Sequence, residues 1–160
     1  LGGRRVRLAA DLGCGAGLST RPLLDMAHRV VGFDPAEAMV HVARSVCPGA
    51  RFLAAAGEAI PLPDASVDLL AAAGSLNYAR DLDAVWPEAA RVLTGDGTLV
   101  VYDFSPGRRF EHDDTLDQWF TAFTARHPYP ASQAIPLSPE ILAGRSREFS
   151  VVRAETFALP

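Results

Sequence analysis

Seven residues near the start of the chain, Asp11-Leu12-Gly13-Cys14-Gly15-Ala16-Gly17, constrain the fold more than any other stretch. They end a run of small apolar residues, Arg5 to Asp11, that reads as a strand, and they precede a segment of helical period. Glycine lacks a Cβ and takes positive φ without steric cost, so three glycines on alternate positions leave room beside the backbone for a partner. Strand, glycine loop and helix in that order predict a ligand lying against the loop.

The rest of the chain continues the alternation. Ser19 is expected to cap a helix carrying Leu23, Leu24 and Ala27 on one face, and Arg29 to Phe33 reads as a second strand ending at Asp34. Asp34-Pro35 reads as an N-cap with proline at the first helical position, opening a helix through Met39, Val42 and Ala43. Arg51 to Ala55 is the expected third strand, Gly57 to Asp64 a polar, proline-bearing turn, and Val67 to Ala73 the fourth strand. A helix from Asp81 to Leu93 contains Pro87, and a Thr94-Gly95-Asp96-Gly97 turn leads into a fifth strand, Thr98 to Asp103. Leu99, Val100 and Val101 are expected to be buried on both faces. The pattern predicts an α/β, Rossmann-like, doubly wound and mostly parallel sheet with helices on both faces.

After Ser105 the pattern loosens. Leu116, Trp119, Phe120 and Phe123 recur at helical spacing, as a face packed on the sheet or as a wall of a substrate pocket. His127 to Pro139 holds four prolines and reads as an extended loop, and Glu148 to Leu159 as a sixth strand. At 160 residues the chain is expected to form one domain, with a ligand-binding core over 6–103 and a substrate-side region over 104–160.

Charge and composition narrow the function. A formal net charge of −4 argues against a general nucleic-acid binder, which neutralises phosphates with a basic surface. Cys14 and Cys47 have no partners at metal-ligand spacing, so both read as reduced thiols and no metal is expected. No apolar run is long enough to cross a bilayer and no leader precedes the first strand, so the expected location is the cytoplasm and no membrane partner is expected. The first residue is Leu1 and not methionine, which reads as a chain shortened upstream.

In an open parallel sheet, loops at the carboxyl ends of the strands share one crevice, so Asp34 is expected to face the glycine loop. Seventeen residues after Gly17, its carboxylate fits the two hydroxyls of a ribose. A dinucleotide loop, G-x-G-x-x-G, would need glycine at position 18, where the chain has Leu18. Asp11 would also repel a pyrophosphate, whereas it suits the cationic group of an amino acid. Nicotinamide-dependent oxidoreduction therefore ranks below a nucleoside ligand bearing an amino-acid end.

The chain resembles the class I S-adenosylmethionine-dependent methyltransferases, in particular their small-molecule branch. Asp11 to Gly17 matches that family's D-x-G-x-G-x-G loop, and Val31-Gly32-Phe33-Asp34-Pro35 with Met39 its second-strand segment. Gly57 to Asp64 with Ser66-Val67-Asp68 resembles its A-E-x-L-P-F-x-D-x-S-F-D stretch, and Glu88 to Val101 its E-x-x-R-V-L-x-P-G-G entry to strand five. The resemblance spans residues 6–103. It departs at Gly57, where alanine is usual, at Ala56, where many members place an acid against adenine, and at Thr94-Gly95-Asp96-Gly97, which replaces K-P-G-G. The family's N-terminal helices and last antiparallel strand have no counterpart in the sequence, so the domain is expected to be truncated at both ends.

The resemblance implies S-adenosylmethionine as cofactor, with S-adenosylhomocysteine as product. It implies an amino-acid end over Asp11, Gly13, Cys14, Gly15 and Gly17, and a ribose at Asp34 and Pro35. Adenine would lie between Met39 and Gly57-Glu58-Ala59, with Gly74, Ser75 and Leu76 on the sulfonium and substrate side. The implied activity is in-line transfer of methyl to an oxygen, nitrogen or carbon nucleophile of a small molecule. A non-catalytic S-adenosylmethionine-binding or regulatory domain of the same fold is the alternative. No catalytic residue is assigned: His112 is the candidate base and Tyr78 the candidate orienting group, and Cys14, without a histidine nearby in sequence, reads as a small filler. Asn77-Tyr78 lacks the N-P-P-Y of amino-methylating nucleic-acid enzymes, so a nucleic-acid substrate is not expected.

Overall fold

A computed structural model describes residues 5–103, 113–127, 137–145 and 147–157. Its elements are β1 (Val6–Leu12), α1 (Leu23–Met26), β2 (Ala27–Asp34), α2 (Glu37–Val46), β3 (Arg51–Ala54), β4 (Val67–Ala73), a 3₁₀ turn (Leu76–Tyr78), α3 (Leu82–Val92), β5 (Leu93–Tyr102), α4 (Thr115–Arg126) and α5 (Pro139–Arg145). Among the described residues the strands form one sheet in the order β3-β2-β1-β4-β5, and every pair is parallel. The winding reverses between β1 and β4, the position where α/β sheets open a crevice.

Period-two alternation explains the two layers. Ala10 and Leu12 of β1, Val31 and Phe33 of β2, and Leu70 and Ala72 of β4 share one core with Leu82, Val85, Trp86, Ala89 and Val92 of α3. Their neighbours Ala9, Val30, Leu69 and Ala71 point to the other face, where Leu23 of α1 meets them. Val40 and Ala43 of α2 pack with Cys14, Cys47 and Phe52 beside that layer. Asp81 caps α3 by accepting from the N–H groups of Asp83 and Ala84 at 3.0 and 3.3 Å. The helix runs on through Pro87, which lies on its exposed side.

Several expectations need correction. α1 is a single turn with Pro22 at its N-cap, because the Ser19 hydroxyl is engaged elsewhere, and Ala27 is both its C-cap and the first residue of β2. Ala36 is the N-cap of α2 and Pro35 precedes it, since the Asp34 carboxylate reaches across to the glycine loop. Thr94 to Gly97 belongs to β5 but leaves the ladder: Val67 pairs with Leu93 and Leu69 with Thr98, so the residues between bulge out. Val100 is 42% exposed rather than buried, because only the side of β5 bearing Leu99 and Val101 meets the α3 core.

The aromatic helix forms as α4, but none of its side chains is fully buried, unlike the expected face packed on the sheet. Trp119 stacks on Phe123 with ring centroids 5.2 Å apart, and both remain exposed. Residues 148–157 form no strand, although Phe149 meets Trp86 edge to face at 6.3 Å. His112, and most of the proline-rich stretch from 128 to 136, lie outside the described residues.

Candidate functional site

The glycine loop is fixed to β2 from below. Gly13 and Cys14 both donate their N–H groups to the Phe33 carbonyl, at 2.8 and 3.1 Å. The three glycines then do different things. A Cβ on Gly13, where φ is +70°, would lie 2.4 Å from the Ser75 Cβ, and one on Gly17 would lie 3.1 Å from the Ala43 Cβ. Those two are needed for packing, against the loop after β4 and against α2. Gly15, with φ +50°, is open on that side: no described residue comes within 4 Å of where its Cβ would be.

Two carboxylates flank this loop. Asp34, at the end of β2, accepts from the Gly15 N–H at 3.0 Å through Oδ2 and from the Ala36 N–H at 2.9 Å through Oδ1. Asp11 is fully buried, and its Oδ2 accepts from the Ser19 and Thr20 hydroxyls at 2.8 and 2.6 Å. Its Oδ1 is buried with no partner among the described residues. Burial pushes the Asp11 carboxyl above its ordinary range, the two hydroxyls oppose that shift, and the Asp34 charge adds to it. Ser19 and Thr20 escape sequence reading because a hydroxyl before an apolar run signals a helix cap as readily as a long-range bond.

A crevice of about 310 Å³ opens at the carboxyl ends of β1, β2 and β4. Of the residues expected at the site, it is lined by Gly13, Asp34, Pro35, Gly57, Glu58, Gly74 and Ser75. Leu12, Ala56, Tyr78, Ala79, Arg80 and Val85 complete it, and of these only Ala56 and Tyr78 drew notice in the sequence. Ser75 donates through Oγ to the Leu12 carbonyl at 2.5 Å, closing the floor.

The remaining expected residues, Asp11, Gly15 and Gly17 of the loop among them, lie outside this lining. Leu76 is 1% exposed, in the α3 core. Cys14 is buried in the α2 cluster, its thiol pushed up to about 12 by burial and by the charges of Asp11 and Asp34, which makes it a filler and no nucleophile. Met39 is 47% exposed on the first turn of α2, and Ala59 is exposed.

The segment after β3 is held by its own Glu58 and by two side chains of α3. Glu58 Oε1 accepts from the Arg80 and Asp81 N–H groups at 2.8 and 3.1 Å. Glu88 Oε2 accepts from the Ile60 N–H at 2.8 Å and also pairs with Arg91. Arg91 in turn donates to the carbonyls of Ile60 and Leu62, each at 2.9 Å, and to Asp64 at 2.7 Å. The E-x-x-R spacing of Glu88 and Arg91 thus acts as a planar fork that fastens the crevice segment to α3. No cluster of three metal-ligating side chains occurs among the described residues.

Residues 10–101 match a family described as a methyltransferase domain. The chain belongs to the class I S-adenosylmethionine-dependent methyltransferases. As a methyltransferase domain it is 31% identical over 103 residues to the ubiquinone/menaquinone biosynthesis C-methyltransferase UbiE of Campylobacter jejuni, covering 60% of this chain and 44% of that protein. It is 31% identical over 108 residues to a malonyl-[acyl-carrier protein] O-methyltransferase of Serratia marcescens, covering 68% and 42%. The crystal structure of the YcgJ protein from Bacillus subtilis superposes with a TM-score of 0.66 at 26% identity, over 88% of this methyltransferase domain and 60% of that chain. The domain spans less than half the length of these two curated relatives.

Proposed function

We propose that the crevice binds S-adenosylmethionine and that the chain transfers its methyl group to a small-molecule acceptor. The observation that carries this reading is the open face of Gly15 beside Asp34, whose carboxylate is already held at 3.0 Å from the Gly15 amide. A carboxylate offers about four lone-pair sites. Two are used by Gly15 and Ala36, so acceptor capacity remains for the hydroxyls of a ribose. The partnerless Oδ1 of Asp11 fits the cationic amino-acid end of the same ligand.

In this reading the exposed thioether of Met39 packs on one face of adenine, with Pro35 beside it and Gly57, Glu58 and Ala59 opposite. Gly74 and Ser75 face the sulfonium and the acceptor. Gly13 lines the crevice beneath the amino-acid end, and Gly17, Cys14 and Leu76 act from behind it by shaping the loops. The bound cofactor supplies an activated methyl group, so the chain's work is to align the acceptor and exclude water. Tyr78 lines the crevice and is 70% exposed, which supports a role in orienting the bound ligand.

One relative is named for methylation at carbon and another at oxygen, which supports a small-molecule acceptor and leaves its reacting atom open. No described helix is long and apolar enough to cross a membrane. The two cysteines are free and buried, which supports a cytoplasmic setting, and the acidic net charge supports an acceptor other than nucleic acid. We read the core over 6–103 and the region over 104–160 as one domain.

Isotope transfer tests the proposal. With methyl-labelled S-adenosylmethionine and a pool of small oxygen, nitrogen and carbon nucleophiles, label is expected in an acceptor, with S-adenosylhomocysteine formed in step. Saturable binding with all label retained in the cofactor would assign the binding-domain role instead.

A further inference from the structure

The crevice has walls from two distant stretches of chain: Gly57 and Glu58 after β3, and Tyr78, Ala79 and Arg80 after the 3₁₀ turn. One oxygen atom joins them. Glu58 Oε1 accepts from the backbone N–H groups of both Arg80 and Asp81, at 2.8 and 3.1 Å, and Asp81 is itself the cap of α3. Partial burial pushes the Glu58 carboxyl up, yet the N–H groups of Asp81, Glu58 and Arg80, with the Arg80 charge, hold it below its ordinary value. Hydrogen bonds to a charged acceptor are about twice as strong as neutral ones, so this contact outweighs an ordinary loop bond.

We infer that Glu58 is a positioning residue, whose Oε1 fixes the Tyr78–Arg80 wall against the Gly57–Glu58 wall and so sets the width of the crevice at its nucleoside end. The inference rests on the proposed cofactor site. It gives the Glu58 carboxylate to the chain rather than to the ligand. The far end of the same segment is pinned independently, because Glu88 and Arg91 hold Ile60, Leu62 and Asp64 to α3. Removing the Glu58 carboxylate should therefore loosen one joint and leave the fold in place.

The test compares wild type, Glu58→Ala and Glu58→Gln by amide hydrogen exchange and by calorimetric titration with S-adenosylhomocysteine. Glutamine keeps a carbonyl acceptor at the same reach. In Glu58→Ala the Arg80 and Asp81 amides are expected to exchange about tenfold faster and the ligand to bind about tenfold more weakly, as loss of a charge-assisted bond implies. Glu58→Gln, with a neutral acceptor, should recover about half of both effects in free energy, and the Leu70 and Ala71 amides of β4 should be unchanged throughout.

Wild-type exchange at Arg80 and Asp81 in Glu58→Ala would overturn the inference, as would faster exchange with unaltered affinity. Glutamine binding as weakly as alanine would also overturn it, by pointing to a charge contact with the ligand. If Glu58→Ala does not fold, Glu58→Asp decides, since it keeps the charge but withdraws the oxygen: faster exchange supports the role and wild-type rates contradict it. A wild type that takes up no S-adenosylhomocysteine would sink the cofactor reading by itself, with the exchange rates still deciding whether Glu58 holds the wall.

Discussion

Gly13 and Ser75 approach so closely that a Cβ on the glycine would lie 2.4 Å from the serine Cβ, while the serine Oγ donates to the neighbouring Leu12 carbonyl at 2.5 Å. The loops after β1 and β4 therefore interlock where the sheet winding reverses. Gly13→Ala combines a left-handed backbone with overpacking and is expected to cost about 2–4 kcal/mol of stability. Gly15→Ala carries the backbone strain alone, about 1–2 kcal/mol. Urea denaturation of the two variants checks the difference; equal losses would show that the Ser75 contact is not limiting.

Asp34→Ala removes an acceptor that holds the Gly15 and Ala36 amides and, in the proposed site, the ribose. Binding of S-adenosylhomocysteine is expected to weaken by about 1.5–3 kcal/mol, the range for hydrogen bonds to a charged group. Calorimetry on the folded variant measures it, and unchanged affinity would remove the ribose role.

Asp11 makes a pH-dependent prediction. Burial makes its carboxyl harder to ionise in the folded chain than at its ordinary value of 3.8. Folding thus favours the protonated form, so this contribution is full below the unfolded pKa and is lost as pH rises through the folded one. Asp11→Asn keeps an acceptor for Ser19 and Thr20 and carries no charge. Its melting temperature is expected to gain on the wild type as pH rises from 3 toward neutrality, about the window where an Asp titrates. At neutral pH the same variant should bind S-adenosylhomocysteine more weakly. A stability difference that does not vary with pH would show that the buried carboxyl is not perturbed.

Arg91→Lys keeps the charge but loses the fork that reaches Ile60, Leu62, Asp64 and Glu88. A loss of about 1–2 kcal/mol is expected by chemical denaturation, in the range of one or two net hydrogen bonds.

What could be read from sequence depended on whether a residue's role was local. Val67 to Ala73 is a strand throughout because an apolar run broken only by Asp68 between turns admits little else, and the Asp81 cap precedes its helix as capping rules require. Asp34 and the glycine loop share the expected side of the sheet because strand direction fixes that side. The bonding partners of Ser19, Thr20, Glu58 and Arg91 are illegible in sequence because each bonds to a group brought near only by the fold. Periodicity found α4 but could not say what its aromatic face meets, since period marks a face and not its neighbour.

The most direct test is a calorimetric titration of S-adenosylhomocysteine into the wild type and into Gly15→Val. Of the three loop glycines, Gly15 is the one whose missing Cβ has no described atom within 4 Å, so in the proposed site a branched side chain there meets the ligand before it meets a neighbour. The account predicts saturable one-site binding to the wild type and none to the folded Gly15→Val variant. Equal binding by both, or no binding to the wild type at saturating ligand, would contradict it.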